Sequence, residues 1–277
     1  MRRDHRCDSI SLEVFMQHLN YTTEDGTRLA LRCSEGDGPP VLLIHGWMMS
    51  GAVYSGIAED LEQAGYNVIV PDLRGAGESA PSNSDYSLAT FAADMIAILD
   101  HLGIERCDLI GHSMGGQIAQ LVSVNAPGRV RSQVLVCPVP ASGLPLPDDA
   151  AGMFRSAAGN PETLQGILSM ATTQLSEADL SRLIGYAMTV TEPCLQNSLD
   201  SWMAGGFAER LGETRAKTLV IASEDPFLPP EFLREAVVDP IPDASIEVIM
   251  GAGHYVQVEQ REASSAVIVD FLHAVGA

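Results

Sequence analysis

The chain has 277 residues, 46% of them hydrophobic, and carries 36 acidic against 16 basic residues, for a formal net charge of −20. This length and composition suffice for the core of one large α/β domain with an insertion, or of two small domains. The excess negative charge repels phosphate backbones and anionic lipid surfaces, so we expect neither a nucleic-acid nor a membrane partner. The oligomeric state stays open, a homo-oligomer included.

The cysteines and the N-terminal residues indicate the cellular compartment in which we expect the protein. Five cysteines are widely spaced and form no C-x-x-C pair, which is typical of reduced thiols in a cytosolic protein. The first residues are charged and no apolar segment follows them, so we expect no secretory signal and no membrane span. We therefore expect a cytoplasmic protein whose residues 1–15 form a flexible arm. Lys217 is the only lysine, which disfavours Schiff-base chemistry.

Alternating patterns begin after this arm. Asp25-Gly26 separates two alternating runs at 18–23 and 28–33 and predicts a β-hairpin. Val41 to Ile44 is a continuous apolar run, typical of a strand buried on both faces. Strand and helix patterns then alternate along the chain, with helices at 51–64, 87–102 and 117–125 and strands at 67–70, 107–110 and 133–137. This alternation predicts a parallel, doubly wound sheet with helices on both faces.

The alternation stops at Pro138. From there to about residue 215 only helical patterns occur, near 150–157, 161–175 and 177–189. We interpret residues 138–215 as a helical cap inserted into a core domain formed by residues 16–137 and 216–277. Strands at 218–222 and 245–250 bring the predicted total to eight, and a helix at 263–275 closes the chain.

The segment 111–116, Gly-His-Ser-Met-Gly-Gly, places Ser113 between glycines where a buried strand turns into a helix. It fits the pattern G-x-S-x-G, in which the serine takes a strained backbone conformation and its small neighbours let the chain fold back. Such a turn lifts the serine Oγ out of the sheet and aims a helix N-terminus at it. It also points the backbone N–H of Met114 toward a developing oxyanion.

Polar residues follow three strands of the predicted sheet. Ser113 comes after one strand, Glu224 and Asp225 after another, and His254 after the last. In an open parallel sheet, ligands bind beyond the carboxyl ends of the strands, so these side chains are expected at one edge. The order serine, acid, histidine is that of an α/β-hydrolase triad.

Five segments carry a resemblance to a known family: His-Gly-Trp at 45–47, Asp-Leu-Arg-Gly-Ala-Gly-Glu-Ser at 72–79, Gly-His-Ser-Met-Gly-Gly at 111–116, Glu-Asp-Pro-Phe-Leu-Pro at 224–229 and Gly-Ala-Gly-His at 251–254. From about Tyr21 to Leu272 the chain resembles the α/β-hydrolase fold superfamily, in its serine esterase and non-haem haloperoxidase branches. The resemblance implies a mostly parallel, doubly wound sheet of eight strands, with an N-terminal antiparallel hairpin and a helical cap insertion.

The resemblance also implies roles for the polar residues. Ser113 is the expected nucleophile, His254 the general base, and Asp225 the carboxylate that orients the imidazole. Glu224 is the alternative acid.

The oxyanion hole is expected to use the backbone N–H groups of Trp47 and Met114. His45 and His112 flank this machinery and are interpreted as structural, with His112 pointing away from it. We expect neither a metal nor another cofactor.

The implied function is that of a serine hydrolase that cleaves a small-molecule substrate, a carboxylic ester, a lactone or a thioester, through an acyl-enzyme intermediate. An apolar cap favours short or medium acyl groups. Alternatives on the same fold stay open: a C–C bond hydrolase, a perhydrolase or haloperoxidase-like enzyme, a cofactor-free dioxygenase, or a non-catalytic small-molecule receptor. The chain departs from the family pattern at Met48, where the haloperoxidase branch often has proline, and at Ala222, where glycine is more usual.

Overall fold

A computed structural model of the chain describes residues 16–276, so the predicted arm of residues 1–15 lies outside the described residues. The strands, in chain order, are β1 (Met16–Thr22), β2 (Arg28–Ser34), β3 (Pro40–Ile44), β4 (Asn67–Pro71), β5 (Cys107–His112), β6 (Val130–Val136), β7 (Lys217–Ala222) and β8 (Ala244–Val248). They form an eight-stranded sheet in the order β1-β2-β4-β3-β5-β6-β7-β8. Each strand predicted from the sequence is present.

The sheet is antiparallel at its N-terminal edge and parallel elsewhere. β1 pairs with β2 and β2 with β4 in antiparallel fashion, and the remaining neighbours are parallel. The hairpin forms where Asp25-Gly26 predicts it, but Thr22 pairs with Arg28, so its loop is longer than a two-residue turn. The Asp25 carboxylate stabilises this loop by accepting the Thr27 backbone N–H at 3.0 Å.

The helices of the described chain are α1 (Ser55–Gln63), α2 (Leu88–His101), α3 (Met114–Asn125), α4 (Asp148–Arg155), α5 (Pro161–Ala171), α6 (Glu177–Ala187), α7 (Glu192–Ala204), α8 (Pro230–Leu233), α9 (Val256–Glu259) and α10 (Arg261–Gly276). No helix within residues 16–276 is long and apolar enough to cross a lipid bilayer. The helix α7 is absent from the sequence prediction. The sequence does contain a signal for the start of α7, because Pro193 stands in its first turn, where a proline is well tolerated.

The strand order reverses beside β3. The chain steps from β3 to β4 on one side and then returns to β5 on the other. Because crossovers between parallel strands are right-handed, the two opposite steps place α1 and α2 on opposite faces of the sheet. α1 then packs against α10, and α2 packs against α3. The reversal opens a crevice at the carboxyl ends of β3 and β5, which is where open α/β sheets bind ligands.

Helices α4 to α7 follow β6 and precede β7. α5 contacts both α4 and α6, and α7 contacts α4 and α2. Between them they bury apolar side chains such as Leu164, Leu168 and Leu195, none of which is exposed. The segment between β6 and β7 therefore packs through its own apolar faces, and it contributes no strand to the sheet.

Gly115, in the first turn of α3, lies very close to the backbone after β3. A Cβ added there would lie 2.1 Å from the Ile44 carbonyl oxygen and 2.6 Å from that of His45. Both oxygens belong to the backbone at the end of β3 and cannot swing aside as a side chain can. The contact therefore sets the distance between α3 and β3.

We expect Gly115→Ala to lower the free energy of unfolding by about 1–3 kcal/mol or more, because the new methyl overlaps backbone. Gly166→Ala in α5 is the matched control, since a Cβ there meets nothing within 4 Å. Alanine is favoured over glycine in an open helical position, so the free energy of unfolding of this variant should rise by about 0.5–1 kcal/mol. Urea unfolding measures the free energy of unfolding of both variants, and equal values would contradict the close approach.

Candidate active site

Ser113 lies between β5 and α3 in a strained conformation. Its φ is 55° and its ψ −120°, in the left-handed half of the backbone map that non-glycine residues rarely adopt. Backbone hydrogen bonds hold it there: its N–H donates to Val136 O at 3.0 Å, and its carbonyl accepts the N–H groups of Gly116 and Val139 at 2.9 and 3.1 Å. Since such strain persists only where surrounding contacts enforce it, the turn is built to present this side chain.

Small residues make room for the turn. A Cβ at Gly111 would lie 2.3 Å from Gly115 O, and one at Gly46 would lie 3.0 Å from the Ser113 Cβ. The helix prediction is wrong at this point, because α3 begins at Met114 rather than at residue 117. The adjacent glycines 115 and 116 disfavour a helix by propensity, but tertiary packing keeps them helical. The helix N-terminus thus lies directly behind the serine.

His254 and Asp225 form a close pair. The distance from His254 Nδ1 to Asp225 Oδ2 is 2.6 Å, and the Asp225 side chain is fully buried. Burial raises the pKa of Asp225, but the charge of His254 and the hydrogen bonds from His254 and the Phe227 N–H outweigh burial and lower this pKa below its usual value. Asp225 is therefore held as a carboxylate against the imidazole.

Glu224, the alternative acid, lies elsewhere. Its Oε2 accepts the backbone N–H of Gly251 at 2.7 Å, and among the described residues it makes no hydrogen bond to His254. Glu224 supports the loop before the histidine, whereas Asp225 contacts the imidazole itself.

Ser113 and His254 line the same cavity. Across residues 16–276 no hydrogen bond joins the Ser113 hydroxyl to His254. Catalytic hydrogen bonds of this type are often long until substrate is bound. Because Nδ1 of His254 is bonded to Asp225, the nitrogen left to exchange a proton with the serine is Nε2.

The backbone N–H groups of Trp47 and Met114 have no acceptor within residues 16–276. Trp47 follows Gly46, which contacts Ser113, and Met114 is the next residue after the serine. Buried N–H groups are nearly always paired, so two free donors beside one hydroxyl are suited to receive an oxyanion.

The cavity is small and apolar. Its volume is about 60 Å³. The lining residues are Trp47, Met48, Ser113, Val139, Leu144, Leu146, Phe154, Ile167, Ala171, Trp202, Phe227, Leu228, His254 and Tyr255. None of them is Asp, Glu, Lys or Arg, and half of them belong to residues 138–215. A larger, open depression of about 590 Å³ near β1 and β2 contains none of the site residues.

Three elements hold the backbone of His254. Its N–H donates to Ala171 O, at the end of α5, over 2.6 Å. Its carbonyl lies 2.8 Å from Nε2 of His112. The preceding residue, Gly253, donates its N–H to Glu259 at 3.0 Å, and the same carboxylate accepts the N–H groups of Thr173 and Gln174 at 2.6 and 2.7 Å.

Sequence reasoning missed the part played by Glu259 and by Ala171. A carboxylate five residues after a histidine is no recognised motif, and a backbone carbonyl has no sequence signature. His112 is not among the residues that line the cavity, as expected for a side chain that points away from it. Its ring centroid nevertheless lies only 4.8 Å from that of His254.

Cys137 lies next to the same pair. One ligand atom each from Cys137, Asp225 and His254 falls within 4.8 Å of the others. Burial raises the pKa of the Cys137 thiol, so the thiolate that a metal requires is disfavoured. The remaining two groups are already bonded to each other, and this set therefore fits a metal poorly.

The buried His112 makes stability depend on pH. Burial lowers the pKa of His112 from about 6.5 to about 3, assisted by the neighbouring His254. As the pH falls below about 6.5, the unfolded chain protonates this residue and the folded chain does not. The unfolded state then binds more protons, so stability decreases on acidification.

We expect His112→Gln, which keeps a donor near the position of Nε2, to make stability less dependent on pH between pH 6 and 5, by about 1 kcal/mol per pH unit. The exposed His101→Gln is the control and should leave the slope unchanged. Urea unfolding across this range measures both. A His112→Gln slope equal to that of the parent protein would show that His112 titrates normally in the folded state.

Comparison with known proteins places this chain in a family. The family model described as alpha/beta hydrolase fold matches residues 39–260. A 2-hydroxy-6-oxononadienedioate/2-hydroxy-6-oxononatrienedioate hydrolase of Paraburkholderia xenovorans is 30% identical, over 90% of this chain and 96% of that protein. A non-heme chloroperoxidase of Kitasatospora aureofaciens is 26% identical, over 91% of this chain and 98% of the relative.

A solved structure agrees in fold. The esterase EaEST from Exiguobacterium antarcticum superimposes with a TM-score of 0.86 at 22% identity, over 94% of this chain and all of that one. The predicted architecture, a mostly parallel sheet of eight strands with an antiparallel N-terminal hairpin, is confirmed. The chain belongs to the α/β hydrolase fold family.

Proposed function

We propose that this protein is a serine hydrolase that cleaves an uncharged carboxylic ester, lactone or thioester. Ser113 is the nucleophile, His254 the general base and Asp225 the orienting acid. The observation that supports this most directly is that one cavity is lined by both a strained serine and a histidine that is bonded to a buried carboxylate over 2.6 Å, with free backbone donors at Trp47 and Met114. No cofactor takes part in the proposed reaction.

The proposed mechanism has two halves. Ser113 Oγ attacks the carbonyl carbon as its proton passes to Nε2 of His254, and the N–H groups of Trp47 and Met114 bind the oxyanion. The resulting tetrahedral intermediate then collapses, which breaks the bond to the leaving group, and the leaving group takes the proton from His254. A water molecule then attacks the acyl-enzyme by the same path, releases the acid and restores the serine.

The cavity supports a short, neutral acyl group. Its volume of about 60 Å³ is far below the about 300–1,000 Å³ typical of pockets for drug-sized ligands. Trp47 stacks on Phe154 with a ring-centroid distance of 5.1 Å and forms a rigid apolar wall. The relative of 30% identity is named for a dicarboxylate, but no lining residue here is a lysine or arginine that could pair with a carboxylate.

The backbone at Met48 weighs against the haloperoxidase alternative. Met48 is buried with φ 64°. Proline is fixed near φ −65°, so it cannot take this conformation. The loop after β3 must therefore follow a different path from one with proline at this position, which is the residue that the haloperoxidase branch often has.

Two further assignments belong to this proposal. Residues 138–215 act as the cap that sets acyl specificity, because half of the cavity lining comes from them. A cytoplasmic location fits the four cysteines of the described chain, Cys33, Cys107, Cys137 and Cys194, which are buried free thiols.

The first test mixes the purified protein with excess p-nitrophenyl butyrate and follows phenol release before the steady state. We expect a burst of one equivalent per active site and a mass increase of one butyryl group on Ser113. Ser113→Ala should abolish both. Ser142→Ala is the matched control, since this serine lies outside the cavity lining and should leave the burst intact. Equal turnover by the parent protein and Ser113→Ala would refute the mechanism, and oxygen uptake and ligand binding would then test the remaining alternatives.

A second test compares acyl groups on the same p-nitrophenol leaving group. We expect kcat/KM to be highest for acetyl to butyryl esters and to fall at least about 10-fold by octanoyl, because added methylenes do not fit. The succinyl ester carries as many carbons as the butyryl ester but ends in a carboxylate. It should react at least about 100-fold more slowly, since an unpaired charge enters an apolar cavity. Equal rates for the succinyl and butyryl esters would instead favour a dicarboxylate substrate.

A further inference from the structure

His45 is a buried side chain whose two ring nitrogens both have backbone partners. It follows the end of β3 and is 1% exposed. Its Nδ1 lies 2.9 Å from the carbonyl oxygen of Gly46, and its Nε2 accepts the backbone N–H of Leu73 over 2.9 Å. The residue takes no direct part in the proposed reaction and is not in the cavity lining.

These two contacts determine the tautomer. Because the Leu73 N–H is a donor, Nε2 of His45 must carry a lone pair, and the ring proton must be on Nδ1. Nδ1–H therefore donates to the Gly46 carbonyl. Burial lowers the pKa of His45, which favours this neutral form.

The bonded carbonyl belongs to the peptide that joins Gly46 to Trp47. In a planar trans peptide, the C=O and the following N–H point in opposite directions. A hydrogen bond that fixes the Gly46 carbonyl therefore also fixes the direction of the Trp47 N–H, which has no acceptor within the described chain. Gly46 itself lies against Ser113, with a Cβ position 3.0 Å from that of the serine.

We propose that His45 is a positioning residue of the oxyanion hole: its Nδ1–H holds the Gly46–Trp47 peptide so that the Trp47 N–H faces the oxygen bound to Ser113. Glycine at 46 leaves this peptide free of side-chain restraint, so an external restraint is needed. The imidazole supplies it and is itself anchored to Leu73, in the loop after β4. This role rests on the proposed function, because it assigns the Trp47 N–H to the transition state.

Two substitutions separate the contacts of His45. Asparagine places its amide nitrogen near the position of Nδ1 and keeps the donor to Gly46, but it does not reach Leu73. Glutamine places its amide near Nε2 and keeps an acceptor for Leu73, but it loses the donor to Gly46. A residue that only ties two loops together should tolerate glutamine at least as well as asparagine.

The experiment measures kcat and KM for p-nitrophenyl butyrate, with active sites counted by the burst, and the thermal unfolding midpoint of each variant. We expect His45→Gln to lower kcat about 10- to 100-fold with KM within about threefold, since loss of one oxyanion donor typically costs 10²- to 10³-fold and here the donor is only misaligned. His45→Asn should stay within about fivefold of the parent kcat, even if it melts earlier. His101→Asn, at an exposed position, is the control and should match the parent.

A kcat for His45→Gln at or above that of His45→Asn would overturn the proposal. If the variants do not fold, side-chain ¹⁵N NMR on the parent protein still tests the proposal. The proposal requires the ring proton on Nδ1 of His45, and a proton on Nε2 would overturn it. A parent protein that forms no acyl-enzyme would overturn both the hydrolase function and this role. An active parent with the reverse order of variants would overturn the role of His45 alone.

Discussion

The site depends on one backbone constraint, which is the left-handed turn at Ser113. The turn brings the end of β5, the start of α3 and the end of β3 within van der Waals distance, and no side chain fits between them. Gly46, Gly111 and Gly115 meet this requirement on three separate segments. The same approach brings the Trp47 peptide to the serine. Under the proposed function, the geometry that strains Ser113 therefore also places the donors for its oxyanion.

The histidine side of the site is supported in a different way. His254 lies on a loop after β8, and its backbone is held by Ala171 from the end of α5 and by His112 from the end of β5. Glu259 joins the chain after α5 to the residue before His254. Residues 138–215, which supply half of the cavity lining, are therefore also hydrogen-bonded to the loop that carries His254.

The charge of the chain and the charge of its cavity are unrelated. The chain has a formal net charge of −20, whereas the cavity lining holds no Asp, Glu, Lys or Arg. The composition therefore predicts only which macromolecules the surface repels. Under the proposed function, short-range packing against the neutral, aromatic walls of the cavity, rather than long-range attraction, selects the substrate.

The sequence by itself determined the eight strands, the hairpin and the strained serine, because hydrophobic period and glycine placement act over a few residues. It also limited the acid to Glu224 or Asp225. Only the tertiary structure distinguished Asp225 from Glu224, since the distance from each carboxylate to His254 depends on how two loops 29 residues apart meet. It also decided the start of α3, the helix α7 and the support from Glu259. The start of α3 and the support from Glu259 depend on contacts between segments distant in the chain, which a local pattern does not encode. The helix α7 had one local signal, Pro193 in its first turn.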